Sequence, residues 1–386
     1  MSAVAEKESK LRELRDYGQS YWLDNLTREM IETGELERRV NEEGLLGITS
    51  NPKTFADSVK SGDRYDQDIE RLATSGKSDV EIYESLMIED VRNGCDALMP
   101  VYEETRGGDG FVSIEVDPRL ARQSEATLAA ACSLWERVDR PNVMIKIPGT
   151  EEGLDAIEEA LFRGINVNIT LLFSNERYRR VVARYLWAME RRLKHGLPVD
   201  GIASVASFFL SRIDSLVDEL LEQRALPACH DHEHMAKALK GHSAIAQACL
   251  AYRSFREAFS GRAWEAMEER GAQIQRPLWA STSVKSDDYP DTLYVDSLIA
   301  RDTVNTMPEK TIDAFTDHGA LEADSIRKPS EQADLIMEQL EAMGVDMAYV
   351  AQRLEDEGIQ KFIQPFEDGL AAVSKQAKKA RSKKKA

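Results

Sequence analysis

The chain has 386 residues, 42% of them hydrophobic, enough for a substantial core in one large domain or two ordinary ones. Its formal net charge of −18 excludes general affinity for nucleic acid or anionic membranes, because a phosphate surface must be met by clustered cations. Four widely spaced cysteines without a CxxC pair (Cys95, Cys132, Cys229, Cys249), no apolar leader and no run near the roughly twenty apolar residues of a membrane span predict a reduced, cytoplasmic protein.

Along the chain, short apolar or β-rich runs alternate with stretches of helical periodicity. The candidate strands are 20–25 (SYWLDN), 45–52 (LLGITSNP), 110–116 (GFVSIEV), 142–148 (NVMIKIP), 166–173 (NVNITLLF), 201–208 (GIASVASF), 276–283 (RPLWASTS) and 302–308 (DTVNTMP). Between them, segments such as 120–138 (LARQSEATLAAACSLWERV) and 175–193 (NERYRRVVARYLWAMERRL) repeat apolar residues every three or four positions. Strand, helix, strand repeated in this way predicts parallel strands with right-handed crossovers, and the economical closure is an α/β fold, the (β/α)8 TIM barrel. A doubly wound open sheet is the alternative, but no Gly-rich phosphate fingerprint follows the first strand.

The long intervals after the second strand and between the sixth and seventh predict additional helices. Residues 1–368 read as a single barrel domain and 369–386 as a basic, disordered tail. Its last stretch, KQAKKARSKKKA, carries seven basic residues and no acidic one. Without those seven charges the body stands at −25.

The fourth strand raises a chemical question, because VMIKIPGT (143–150) holds one charged residue in an apolar run. Alternation puts Val143, Ile145 and Ile147 on one face and Met144 and Lys146 on the other. A buried ammonium must find a partner or lose its proton. Lys146 is either a lysine whose stem lies on apolar surface with its amine in water, or a nucleophile.

The parity of the other strands favours the nucleophile. It turns Trp22 and Asp24 inward from the first strand, Thr49 and Asn51 from the second, and Ser113 and Glu115 from the third. It adds Asn168, Thr170 and Leu172 from the fifth, Ser207 from the sixth, and Ser281 and Ser283, with Trp279, from the seventh. These polar groups gather near the C-terminal strand ends, where barrel enzymes build active sites. A lysine there can attack a carbonyl and form a Schiff base that withdraws electrons from the neighbouring carbon–carbon bond, provided a base removes a hydroxyl proton. Asp24 and Glu115 are placed to move those protons; the plainer alternative is that they only balance the lysine's charge.

Other conspicuous residues carry less. CHDHEH (229–234) is dense in metal ligands, but adjacent ligands on a loop seldom converge on one ion, so no metal is expected. His242 and His318 lie away from strand ends and read as structural. The five tryptophans read as packing residues, with Trp22 and Trp279 nearest the site by parity.

In combination, YWLDNL (21–26), GITSNPKTF (47–55), VSIEVDPRLA (112–121), VMIKIPGT (143–150), GINVNITLLFS (164–174), SFFLSRID (207–214) and RPLWASTSVKSDDYPDTLYV (276–295) resemble the transaldolases. The resemblance runs to about residue 368 and is to the longer bacterial form. It implies the same barrel, with Lys146 as the Schiff-base lysine and Asp24 as the group exchanging the proton of the substrate's C4 hydroxyl. It implies that Glu115 moves protons at the imine through a water fixed by Thr170, that Asn51 holds substrate hydroxyls, and that Ser207 and Arg212 form the sugar and phosphate subsite. The guanidinium fork of Arg212 suits phosphate.

The sequence departs from the family pattern after the seventh strand. Many relatives place a second phosphate-binding arginine there, whereas ASTSVK offers Ser283 or Lys285. Phe209 stands where the related sugar-phosphate aldolases carry a tyrosine, which favours transfer over simple cleavage. The implied reaction moves a dihydroxyacetone unit from sedoheptulose 7-phosphate to glyceraldehyde 3-phosphate, giving erythrose 4-phosphate and fructose 6-phosphate. It needs no metal or organic cofactor, and its partners are sugar phosphates. A fructose-6-phosphate-type Schiff-base aldolase is the alternative, and monomer and homodimer both fit the sequence.

Overall fold

The computed structural model describes residues 9–224 and 230–385. Eight parallel strands, β1 (Gln19–Leu23), β2 (Gly47–Ile48), β3 (Phe111–Glu115), β4 (Val143–Pro148), β5 (Val167–Leu172), β6 (Ser204–Phe209), β7 (Gln275–Ala280) and β8 (Thr303–Met307), form a closed barrel in chain order. β1 closes on β8, with Gln19 opposite Thr303 and Leu23 opposite Met307. Each strand overlaps the segment expected for it, so the TIM barrel stands and the open doubly wound sheet falls. The ladder of β2 is only two residues long, and Trp22 packs directly beside it. A Cβ added at Gly47 would lie 2.3 Å from the Trp22 indole, so only glycine fits.

The alternation that makes these segments strands also builds the layers around them. Val143, Ile145 and Ile147 on β4, and Val167 and Ile169 on β5, are wholly buried under the outer helices. The inward side chains form polar layers instead: Asn168 donates to Ser113 at 2.9 Å and accepts from Ser207 at 2.6 Å. Both long intervals hold the expected extra helices, including Pro52–Ser61, Asp66–Thr74 and Asp79–Glu104 after β2 and Ser211–Arg224, His230–Leu239 and Ser243–Ala258 after β6. Asn51 caps Pro52–Ser61 by accepting from the Lys53 amide at 3.0 Å, and Pro52 presets the first turn.

Two parity expectations are corrected. Leu172 was expected inside, but Leu171 takes a left-handed φ of 62° at a register shift between Ile169 and Leu172, which swings Leu172 opposite Phe208 on the helix-facing side. Trp279 was also expected inward. Register pairs it with Phe208 and pairs Leu278 with the inward Ser207, and its indole donates to the Leu298 carbonyl at 3.1 Å. The alternation on β7 breaks at Ser281, whose φ of 55° returns the following residues to the barrel mouth.

The tail also differs from expectation. Residues 369–385 are not a disordered appendage but the last turns of one long helix, Met347–Lys385. Val373, Ala377 and Ala380, spaced as one helical face, are buried in a second apolar cluster with Phe55, Tyr65, Ile69, Tyr83 and Phe366. Arg381 donates to Asp79 at 2.8 Å and to the Lys77 carbonyl at 2.7 Å. The lysine content hid this face, since exposed Lys375, Lys378 and Lys379 occupy only the positions turned away from the body. No helix among the described residues is long and apolar enough to cross a membrane.

Candidate active site

At the C-terminal ends of the strands lies a cavity of about 490 Å³ that admits Asp24, Asn51, Lys146, Ser207, Arg212, Ser283 and Lys285. Seven of the nine side chains singled out from sequence therefore share one chamber. Glu115 and Thr170 stand just behind it. Glu115 is directly opposite Lys146 in the β3–β4 register, so both side chains project from the same face of adjacent strands. Thr170, on β5, is opposite Pro148 of β4, and its buried hydroxyl has no hydrogen-bond partner among the described residues.

Lys146 is 6% exposed, and its Nζ lies 2.6 Å from Glu115 Oε1 while donating to the Ser50 carbonyl at 3.1 Å. That ion pair is the only close polar contact of the Glu115 carboxylate among the described residues, and burial pushes its pKa up while Lys146 pulls it down. Asp24, just beyond β1, accepts from Thr49 Oγ1 at 2.9 Å, and that hydroxyl also meets Thr306 Oγ1 at 2.8 Å. Burial pushes the Asp24 pKa up to about 6, with Lys146 and Thr49 opposing the rise. One amine and two carboxylates are thus gathered at one end of the barrel, Lys146 paired with Glu115 and Asp24 held by Thr49.

The far wall is cationic. Arg212 follows β6, Lys285 follows β7 and Lys310 follows β8, and none of the three belongs to an ion pair among the described residues. Burial lowers the pKa of Arg212, with Glu357 of the C-terminal helix opposing. Burial, Arg212 and Lys310 lower that of Lys285, although the residue as a whole is exposed. Arg212 Nη1 is buried without a hydrogen-bond acceptor. Cations crowded against one another, with a donor left open, suit the binding of an anion.

The model of the transaldolase/fructose-6-phosphate aldolase family matches residues 21–373. The chain belongs to the transaldolase/fructose-6-phosphate aldolase family. It is 46% identical over 368 residues to a transaldolase of Thermobifida fusca, covering 95% of this chain and 98% of that one. It is 44% identical over 374 residues to the transaldolase of Mycobacterium ulcerans, covering 97% and 98%. It is 45% identical over 374 residues to transaldolase 1 of Streptomyces avermitilis, covering 97% of each. These full-length matches accord with a transferase built on this barrel.

Against that family background, the residues outside the chamber are informative. A larger cavity of about 780 Å³ opens at the opposite end of the barrel, but its buried charges are neutralised locally. Asp109 there accepts from Ser20 at 2.6 Å and Trp22 at 2.8 Å and pairs with Arg276 at 3.1 Å. His318 is an exposed partner of Asp291 and Asp317, far from the Schiff-base candidate. Cys229 lies outside the described residues, and among those described no three His, Cys, Asp or Glu side chains are gathered as a metal site. Sequence reasoning missed several wall residues, among them Lys53, Thr306, Glu309, Lys310 and Phe362. Lys310 carried no signal beyond following the eighth strand, and Phe362 comes from the C-terminal helix, whose path across the barrel mouth no local pattern reveals.

Proposed function

We propose that this chain is a transaldolase that uses Lys146 as its nucleophile. The observation that carries the reading is the buried Lys146–Glu115 contact of 2.6 Å in a chamber shared with Asp24 and walled by Arg212 and Lys285. Glu115, with its raised proton affinity, takes a proton from the ammonium, and the free amine attacks the C2 carbonyl of a ketose phosphate. Glu115 then returns protons, through a water held by the open hydroxyl of Thr170, to expel hydroxide as water and leave a protonated imine.

Ionised Asp24 removes the C4 hydroxyl proton. The C3–C4 bond breaks, its electron pair flows into the imine, and an aldehyde leaves. The remaining three-carbon enamine attacks the acceptor aldehyde, Asp24 returns the proton, and hydrolysis frees the product. Arg212, Ser283 and Lys285 hold the phosphate, while Asn51 and Ser207 hold sugar hydroxyls. The donor is sedoheptulose 7-phosphate and the acceptor glyceraldehyde 3-phosphate, both cytoplasmic metabolites of the non-oxidative pentose phosphate pathway.

Phe209 supports transfer over the aldolase alternative, since its phenyl ring reaches the chamber without a hydroxyl to activate water. The decisive test is borohydride reduction in the presence of fructose 6-phosphate, followed by peptide mapping. The expected adduct is on Lys146 and is absent from Lys146→Arg. An adduct on any other residue, or turnover by Lys146→Arg, refutes the proposal.

A further inference from the structure

The long helix Met347–Lys385 crosses the barrel mouth and is held on both sides of it. Before the crossing, Glu355 meets Arg122 at 3.3 Å and Arg177 at 3.6 Å. Gly358 sits so close to β5 that an added Cβ would be 2.9 Å from the Leu171 side chain. Beyond the crossing, Phe366 packs edge-on against Tyr83 at 4.9 Å, Lys60 pairs with Asp368 at 3.1 Å and Arg381 with Asp79 at 2.8 Å. Between these anchors, Phe362 turns into the chamber. Its ring centroid lies 5.6 Å from Lys146 Nζ and 6.4 Å from the Phe209 ring, which in turn lies 5.5 Å from Phe173.

We propose that Phe362 is a specificity-determining residue, whose ring roofs the Lys146 nitrogen and keeps water from the covalent intermediate until an acceptor aldehyde arrives. The inference rests on the Schiff-base reading above and deepens it. After the first aldehyde leaves, the enamine has two fates. In transfer, its carbon bonds to the acceptor carbonyl carbon. In loss, that carbon takes a proton, water adds to the resulting imine carbon, and the C–N bond breaks with its electron pair passing to nitrogen. Loss frees dihydroxyacetone and the amine.

Both fates use Lys146, Glu115 and Asp24, so those groups alone do not set the ratio between them. Access of water to the imine does, and an apolar ring over the nitrogen limits it. The acceptor's phosphate is instead drawn by Arg212, Lys285 and Lys310, which line the same chamber. The fixed helix matters because a roof on a mobile loop would admit water whenever it lifted.

The test measures, for wild type, Phe362→Ala and Phe362→Leu, the release of free dihydroxyacetone from fructose 6-phosphate without acceptor and the transfer rate with erythrose 4-phosphate. Borohydride trapping at Lys146 is scored in parallel. Opening the roof with alanine is expected to raise the release-to-transfer ratio by about tenfold or more, and leucine, which keeps apolar cover, holds it near the wild-type value. An unchanged ratio in Phe362→Ala with trapping intact overturns the proposal, as does an equal fall in both rates. A rise in Phe362→Leu matching that in alanine also overturns it. Failure of trapping in the wild type sinks the Schiff-base reading itself, which separates the two claims.

Discussion

Replacing Asp24 by asparagine separates the chemical need for a buried carboxylate from its effect on stability. Asp24 is half-buried with one edge toward the cavity, and burial, opposed by Lys146 and Thr49, raises its pKa from 3.8 to about 6. At ~1.36 kcal/mol per pKa unit this is a preference for the neutral form of about 3 kcal/mol. The folded-state value lies above the unfolded one. Below about pH 4 both states hold the proton and the penalty vanishes; it grows between about pH 4 and 6 and is complete above 6. Asparagine keeps the shape, can accept from Thr49 and never ionises. Asp24→Asn is therefore expected to be more stable than wild type by ~2–3 kcal/mol at pH 8 and by about half of that at pH 5, the upper figure being a ceiling because one edge faces the cavity. Its kcat should fall by about 10²–10⁴, the usual worth of a positioned base. Urea denaturation at the two pH values reads the stability, and coupled assay of glyceraldehyde 3-phosphate consumption reads the rate. A variant less stable than wild type at pH 8, or a gain identical at both pH values, would refute the burial argument.

Two further outcomes follow from the cationic wall and the C-terminal helix. Arg212→Ala should raise KM for fructose 6-phosphate by about 10–150-fold, the loss of ~1.5–3 kcal/mol of charged hydrogen bonding, while leaving turnover of unphosphorylated fructose unaffected. Arg212→Lys, a point charge without the fork, should fall between; equal effects on both sugars would move Arg212 out of the phosphate subsite. Val373→Asp should destabilise the protein by at least ~3 kcal/mol, because it places an unpaired carboxylate among Phe55, Tyr83 and Phe366. An unchanged Tm for this variant would mean that the last turns of the helix do not pack on the body.

The barrel was legible because every strand carries β-branched alternation and every long interval carries helical spacing. The polar members of the site were legible for the same reason: Glu115, Lys146 and Thr170 interrupt apolar strands, and period-two reasoning turns them inward together. That reasoning failed wherever one residue left the extended region. The left-handed Leu171 turns Leu172 to the helices, and the left-handed Ser281 breaks the parity that would link Ser281 and Ser283 back to Trp279, which regular alternation on β7 turns to the helices. Neither residue is a glycine, so composition gave no warning. The tail was misjudged because charge density outweighed three small apolar residues, and burying Val373, Ala377 and Ala380 depends on Phe55 and Tyr65, some three hundred residues earlier in the chain. Phe362 is the same kind of case: a helix declares which residues share a face, but not what that face will cover.

Burial raises the proton affinity of both carboxylates, but their support differs, and on the proposed mechanism that difference assigns their roles. Among the described residues Glu115 has Lys146 as its only close partner, so its proton affinity follows the charge on that nitrogen. When the amine gives up its proton to attack a carbonyl, nothing opposes the burial of Glu115, and it holds the proton until the imine requires it. Asp24 keeps the Thr49 hydroxyl whatever happens at Lys146, and its pKa of about 6 leaves it mostly ionised at neutral pH. It can therefore accept a hydroxyl proton during carbon–carbon cleavage while Glu115 is occupied. Exchanging the supports tests this logic at Thr49: Thr49→Val removes the donor, raises the pH below which kcat falls above the wild-type value near 6, and leaves borohydride trapping at Lys146 intact. A profile that does not move would mean that the hydroxyl contact is not what keeps Asp24 available as the base.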